Sequence, residues 1–257
     1  PTDSVTTPYA PQGRGLLLTP PPAKLWAEER QIDVLQPASA KSEEFIRDLG
    51  NSEWDIFIVA AYGKLLPKGL LAIPTRGTVN VHPSLLPKLR GASPVQSAIL
   101  TDEKQTGVSI MLLDEEMDHG PILAQARVEV ETEDWPPKAS LLEEMLAVEG
   151  GKLLAETIPL WMEKKIQPEE QDHTAATFCK KIEKEDGLLD LSADPYQNLL
   201  KIRGLENTTG TYFFTERHGK QIRVKVLDAD IIDGVLTLTR VIPEGKREMS
   251  YEDFLRG

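Results

Sequence analysis

The sequence predicts an α/β protein in which an open, mostly parallel sheet precedes a small C-terminal β-barrel or sandwich. Three observations predict it. WDIFIVAAYG, residues 54–63, is a continuous apolar run with β-branched residues closed by a glycine, the composition of a strand buried on both faces of a parallel sheet. Strand-like runs then alternate with helix-like ones as far as Lys164. Beyond that, TGTYFF, KQIRVKVLDADII and GVLTLTRVI are β-rich runs with glycines between them, the signature of a small β-barrel or sandwich.

In chain order, Val5–Thr7 reads as a short strand entering the Pro/Gly loop of PTDSVTTPYAPQGRG. The prolines of TPPPAK preclude a long helix there, and AKLWAEERQ after them has helical composition. IDVLQPAS is a short extended piece. SEEFIRDL, Ser42–Leu49, is a helix with its acidic residues early, where the helix dipole favours them. GTVNVHP is a strand stopped by Pro83, and SPVQSAIL starts a helix with Ser93 as N-cap and Pro94 at the first helical position. TGVSIMLLD and GPILAQARVEV supply further strands, and Pro137–Lys164 is a long helix. KKIQPEEQDHTAATF is polar and aperiodic and reads as a linker; Pro195–Arg203 is a short helix. The expected division is 1–163, a linker over 164–177, and 178–257, in line with about 150 residues per domain.

The composition is that of an ordinary globular protein, with 40% hydrophobic and 27% charged residues and no apolar run long enough to span a bilayer. No signal peptide is visible, and the single Cys179 excludes an internal disulfide framework, so a cytoplasmic protein is expected. The net charge of −12 argues against a molecule that is nucleic-acid-binding over its whole surface. That charge is uneven: Phe178–Gly257 carries 13 Lys and Arg against 14 Asp and Glu, a net −1, which leaves −11 on residues 1–177. A local basic face is therefore compatible with the C-terminal part.

Alternate residues of a strand share a face, so Asn80 and His82 project together at the C-terminal end of GTVNVHP. Ligands of open α/β sheets bind at that edge. DEEMDHGPI brings Asp114, Glu115, Glu116 and Asp118 to the end of another strand. An amide, an imidazole and a carboxylate brought together suit acyl chemistry, the amide polarising a carbonyl, the imidazole moving or stabilising charge and the carboxylate orienting the imidazole. Other chemistries lack their signals. There is no G-x-S-x-G elbow, no phosphate-binding glycine loop, and no metal-ligand spacing among His82, His119, His173, His218 and Cys179.

AAYGKLLPKGLL, GTVNVHPSLLPKLRGASPVQSAIL, TGVSIMLLDEEMDHGPIL and IPEGKREMSYEDFLRG, in this order over nearly the whole chain, resemble the methionyl-tRNA formyltransferase family of the folate-dependent formyltransferase superfamily. The N-x-H with SLLP-x-x-RG carries the superfamily, and the final segment carries the tRNA enzymes. The resemblance implies a Rossmann-like sheet followed by an OB-like barrel, and an enzyme acting in translation initiation. Its reaction moves formyl from 10-formyltetrahydrofolate to the α-amino group of methionyl initiator tRNA, with no metal. It implies Asn80, His82 and Asp118 as the catalytic trio. For the folate it implies Tyr62, Gly63, Leu65, Leu66, Pro67, Ser84, Leu85, Leu86, Pro87, Leu113, Asp114, Met117 and Gly120. For the tRNA it implies Arg14, Lys88 and Arg90, with the barrel holding the tRNA backbone. A monomer with tetrahydrofolate and initiator tRNA as its partners, and no membrane, is the corresponding expectation.

Two other readings share these residues: a formyltransferase of an amino sugar nucleotide or of glycinamide ribonucleotide, and a non-catalytic folate- or tRNA-binding derivative. The glycinamide enzyme lacks a C-terminal barrel, so 178–257 speaks against it. The family begins with a strand, loop and helix of roughly thirty residues ahead of the match to PTDSV, so a sheet without that first strand is expected. His119 replaces the Thr usual after the catalytic Asp, and GLENTTGTYFF replaces an NPWPGAYF-like corner.

Overall fold

The computed structural model describes residues 2–12, 17–63, 65–217 and 219–256. The chain is mixed α/β. Its elements are β1 (Asp3–Val5), β2 (Ala10–Gln12), β3 (Leu17–Thr19), α1 (Pro22–Glu28), β4 (Asp33–Leu35), α2 (Glu43–Gly50), β5 (Phe57–Ala60), α3 (Lys68–Leu71), β6 (Thr78–His82), β7 (Arg90–Gly91), α4 (Pro94–Leu100), β8 (Thr106–Leu112) and β9 (Ile122–Val128). They continue with α5 (Ala139–Met162), β10 (Phe178–Cys179), α6 (Pro195–Gly204), β11 (Thr211–Arg217), β12 (Lys220–Ile232), β13 (Val235–Pro243), β14 (Met249–Ser250) and α7 (Tyr251–Arg256). β5, β6, β8 and β9 form a sheet in that order, with β8 and β9 antiparallel. The chain clusters into two compact units, residues 1–80 with 112–116, and residues 81–111 with 117–257.

In the first unit β1 pairs in parallel with β4, and β2 with β3 antiparallel. Its core is Ala40, Leu49 and Leu70, walled by Phe45, Ile46, Trp54, Phe57, Tyr62, Leu66 and Ile73. The Trp54 indole N–H donates to Leu49 O at 2.8 Å, which fixes the end of α2 against this core. β5 differs from the expectation of a strand buried on both faces. Its side chains alternate, Phe57 packing on the core while Ile58 is 48% exposed. Among the described residues β5 is the last strand of its sheet, and Ile58 and Ala60 share its exposed side.

In the second unit Val95, Ile99, Val108, Trp135, Ala139, Leu142, Leu146 and Leu200 make one core. β8 is buried over almost its whole length. The helix α5 lies close on this core at Gly150, where an added Cβ would come within 2.9 Å of Val81 Cγ1 and 3.2 Å of Val108 Cγ1. Ser93 precedes α4 but makes no side-chain cap bond, so Pro94 at the first helical position is what sets the start of this helix. A second core is built by β11–β12–β13–β14, an antiparallel sheet, with Leu189, Leu199, Ile202 and Phe254 against it. The helix α6 serves both cores, with Leu199 and Ile202 on one side and Leu200 and Tyr196 on the other. Asp194 caps it, accepting from Gln197 N at 2.9 Å. Among the described residues no helix is long and apolar enough to cross a membrane.

Candidate active site

The strand β6 ends on Asn80-Val81-His82, and Pro83 then removes a backbone donor and closes the strand. Asn80 is half-buried and His82 is 4% exposed. Nε2 of His82 lies 3.0 Å from Leu89 O. A carbonyl only accepts, so Nε2 carries the proton and the neutral ring leaves Nδ1 as an acceptor. Nδ1 faces Asp118 Oδ1 at 3.6 Å. Burial lowers the His82 pKa below the ordinary value, with the Asp118 charge and the Leu89 carbonyl pulling the other way. The ring is therefore neutral at neutral pH, with its free lone pair toward a carboxylate.

Asp118 is held at both ends. Its Oδ2 accepts from Gly91 N at 2.8 Å, and its backbone oxygen accepts from Gln171 Nε2 at 2.9 Å. Its φ of +50° is in the left-handed region, which a non-glycine residue adopts only where its surroundings compensate. Gly91 must be glycine: its φ is +122°, and a Cβ there would sit 2.2 Å from Cys179 O. β7 and β10 pair in parallel at this point, Phe178 with Arg90 and Cys179 with Gly91. Leu89, also left-handed, donates its N–H to Thr177 Oγ1 at 2.9 Å, which aims the carbonyl that fixes the His82 proton. Burial pushes the Cys179 thiol up, so it makes a poor nucleophile.

The Ser84–Pro87 segment is fastened by one hydroxyl. Ser109 Oγ donates to Ser84 O at 2.6 Å and accepts from Leu86 N at 3.0 Å and Gln125 Nε2 at 2.8 Å. The Gln125 amide also donates to Leu86 O at 2.9 Å. Ser84 and Leu86 are buried, Leu85 and Pro87 half-buried.

A family profile described as formyl transferase matches residues 4–158. The methionyl-tRNA formyltransferase of Myxococcus xanthus is 37% identical over 273 residues, covering 98% of this chain and 86% of that protein. The chain belongs to the methionyl-tRNA formyltransferase family. Solved structures of similar fold include methionyl-tRNA formyltransferase from Clostridium thermocellum, at a TM-score of 0.61 and 19% identity over 86% of this chain and 91% of that one. HypX from Aquifex aeolicus in complex with tetrahydrofolic acid aligns at a TM-score of 0.67 and 15% identity, over 98% of this chain and 46% of that one. Membership fixes a formyl-transferring enzyme.

The remaining expected residues distribute as follows. In the first unit Tyr62 and Leu66 pack on the Ala40–Leu49–Leu70 core, Leu65 is exposed, Gly63 has a φ of +68° and Pro67 caps α3. Leu113 donates its N–H to Thr78 O at 2.8 Å, and Asp114 Oδ1 accepts from Glu116 N at 2.9 Å. Leu113 and Asp114 border an open cavity of about 650 Å³ with Lys68, whose ammonium pairs with Glu115 at 2.6 Å. In the second unit Gly120 is buried beside the Asp118 backbone and Met117 is exposed. Lys88 is exposed and paired with Glu103 at 2.8 Å. Arg14 lies outside the described residues. Arg90, expected at tRNA phosphates, is 3% exposed and turned inward. Its Nε and Nη2 donate to Gln171 Oε1 at 3.1 and 2.6 Å, and Nη2 meets His173 Nδ1 at 2.9 Å, so its charge is spent inside the fold. Sequence reasoning missed Gln171, Thr177, Ser109 and Gln125. The two that sit in the polar stretch after α5 have no periodic or motif signal that separates them from linker residues. Among the described residues no group of three or more His, Cys, Asp or Glu could hold a metal ion.

Proposed function

We propose that the chain transfers the formyl group of 10-formyltetrahydrofolate to the α-amino group of methionyl initiator tRNA. The observation that carries this is the pairing of buried His82 with half-buried Asp118 at the end of the N-x-H strand, in a chain 37% identical to a methionyl-tRNA formyltransferase over 98% of its length. In the reading, Asn80 donates its side-chain amide to the formyl oxygen and stabilises the negative charge that develops there when the uncharged amine attacks the carbon. Asp118, whose Oδ1 faces the unprotonated Nδ1 of His82 at 3.6 Å, takes the proton that the attacking nitrogen sheds and passes it to Nδ1. The resulting imidazolium sits beside Asp118 and adds positive charge at the tetrahedral centre. As the carbon–nitrogen bond to the folate breaks, that proton returns to the departing folate nitrogen, leaving His82 neutral again. No acyl-enzyme is needed, which accords with a raised Cys179 thiol.

The folate would be held by Tyr62, Gly63, Leu65, Leu66 and Pro67 with Leu113, Asp114, Met117 and Gly120, and by Ser84, Leu85, Leu86 and Pro87. The alternation of buried and half-buried residues in the Ser84–Pro87 segment, and its backbone fastened at Ser109, suit a wall that keeps its shape. Residues 1–163 are assigned to catalysis and 178–257 to the tRNA backbone, with Lys88 as a phosphate contact beside the site and Arg90 released from that role. The protein is assigned to the cytoplasm as a monomer.

The deciding experiment incubates the purified chain with 10-formyltetrahydrofolate and methionyl initiator tRNA and analyses the amino acid released from the tRNA. Formylmethionine is expected; unmodified methionine alone would overturn the proposal. With folded variants, Asn80→Ala, His82→Ala and Asp118→Ala are each expected to lower turnover by about 10²-fold or more.

A further inference from the structure

We infer that Gln171 is the positioning residue of this site, holding Asp118 in its left-handed backbone so that the carboxylate meets His82, and that Arg90 sets the orientation of the Gln171 amide. The inference rests on the role of Asp118 given above. Gln171 belongs to the polar stretch after α5 and is 6% exposed. Both hydrogens of its amide nitrogen are used, toward Asp118 O at 2.9 Å and Gly120 O at 2.7 Å. One side chain thus closes the turn that carries Asp118 at φ +50°. An amide can be turned end for end, and its carbonyl aimed at two carbonyls would repel them. Arg90 removes that ambiguity. It has no acceptor atoms, and its Nε and Nη2 both take Gln171 Oε1, so only the NH₂ end can face the Asp118 turn.

The neighbouring groups act in the same sense. Gly91, next to Arg90, holds the carboxylate of Asp118 through its N–H, so two adjacent residues of β7 act on the aspartate, Gly91 directly at its carboxylate and Arg90 through Gln171 at its backbone. His173, two residues beyond Gln171, accepts from Arg90 through Nδ1 and stacks on His119, with ring centroids 4.0 Å apart and planes 2° from parallel. His119 follows Asp118 directly, so the stack ties the same turn to the same segment. Without the two amide donations, a left-handed aspartate in a half-buried turn would lose what compensates its backbone, and the carboxylate would leave the 3.6 Å approach to His82.

The test uses the full chain. Gln171→Glu keeps the size and the contact with Arg90 but replaces the donor by an acceptor against two carbonyls; Gln171→Met removes both functions at similar volume. Assayed with 10-formyltetrahydrofolate and methionyl initiator tRNA, each is expected to lower kcat by about 10- to 10²-fold with both KM values within about threefold, as a misplaced catalytic group does. Combined with Asp118→Asn, Gln171→Glu is expected to cost less than about twofold more, because its effect runs through Asp118. A folded Gln171→Glu with normal kcat, a loss confined to KM, or the full loss repeated in the Asp118→Asn background would each overturn the inference. If Gln171→Met does not fold, Gln171→Glu is read alone. Wild-type turnover in Asp118→Asn would instead overturn the reading on which the inference rests.

Discussion

A buried imidazole is useful to a proton transfer only when its two nitrogens have different tasks, and Leu89 divides them. By accepting from Nε2 at 3.0 Å it leaves Nδ1 bare toward Asp118. Because burial holds the folded pKa of His82 below the free value of 6.5, the unfolded chain binds this proton first as the pH falls. The sign follows: stability from the neutral ring is complete above the unfolded value and is lost as the pH drops from there toward the depressed folded value. Denaturant titrations are therefore expected to show a lower midpoint at about pH 5.5 than at about pH 7.5, and His82→Gln is expected to flatten part of that slope. A slope unchanged by the substitution would contradict this account. NMR of the His82 ring adds a direct reading: its titration should lie below 6.5, and lower still in Asp118→Asn, which deletes the charge that favours the proton. Gly91 carries the other residue-scale constraint. Gly91→Ala puts a Cβ at 2.2 Å from a backbone oxygen at a φ of +122°, so a loss of at least about 1–3 kcal/mol is expected in chemical denaturation, together with lost turnover as the Asp118 donor moves.

Two short elements decide how much of the site was legible. The N-x-H strand end was legible because period-two alternation and a stopping proline are local properties; so were the α5 span, the C-terminal strands and the α6 start at Pro195. The pairing of β7 with β10 was not. Two residues cannot carry a periodic signal, and the partners are far apart in sequence, so nothing local marks Thr177 or Gln171 as parts of the Asp118 turn. Arg90 shows the same limit from the other side: a basic residue in a polar loop reads as solvent-facing until its acceptors, Gln171 and His173, arrive from the far segment. The exposed face of β5 was hidden for a related reason, since an apolar run records side-chain chemistry but not which faces a layer covers. The helix α6 offers an element-scale test. Asp102 Oδ1 accepts from the Tyr196 hydroxyl at 2.8 Å and from the Trp135 indole at 2.6 Å, and burial, with that carboxylate, raises the Tyr196 phenol to about 12. This polar point and the adjacent Leu200, 1% exposed, fix one face of α6. Leu200→Ala is expected to cost about 2–5 kcal/mol and Asp194→Ala about 1 kcal/mol, measured by urea denaturation. A larger cost for Asp194→Ala than for Leu200→Ala would mean that the cap, rather than the buried face, holds the helix.

At the scale of the whole chain, the charge is spread so that −11 of the −12 lies on residues 1–177, which makes the C-terminal part the less repulsive surface for a polyanion. If phosphates are met there by a few cations, the KM for tRNA should rise with added salt while the KM for the folate stays nearly constant. The packing makes a second demand. The antiparallel sheet at the C-terminus has its own core, yet α6 belongs to that core through Leu199 and Ile202 and to the Ile99–Val108–Leu142 core through Leu200. Arg203 adds a hydrogen bond to Pro136 O at 2.6 Å. Ending the chain at Thr177 would remove Leu200 and Tyr196 from a buried core and strip β7 of its β10 partner beside Gly91. A fragment of residues 1–177 is thus expected to lack a single cooperative thermal transition and to bind a hydrophobic dye, while the full second unit unfolds in one step with its α6 amides among the slowest to exchange. A fragment melting cooperatively within a few degrees of the intact chain would show that the two cores are independent. The expected dependence joins the stability of the two cores through one helix, so substitutions such as Leu200→Ala should lower the folded fraction of both together rather than loosen the C-terminal sheet alone.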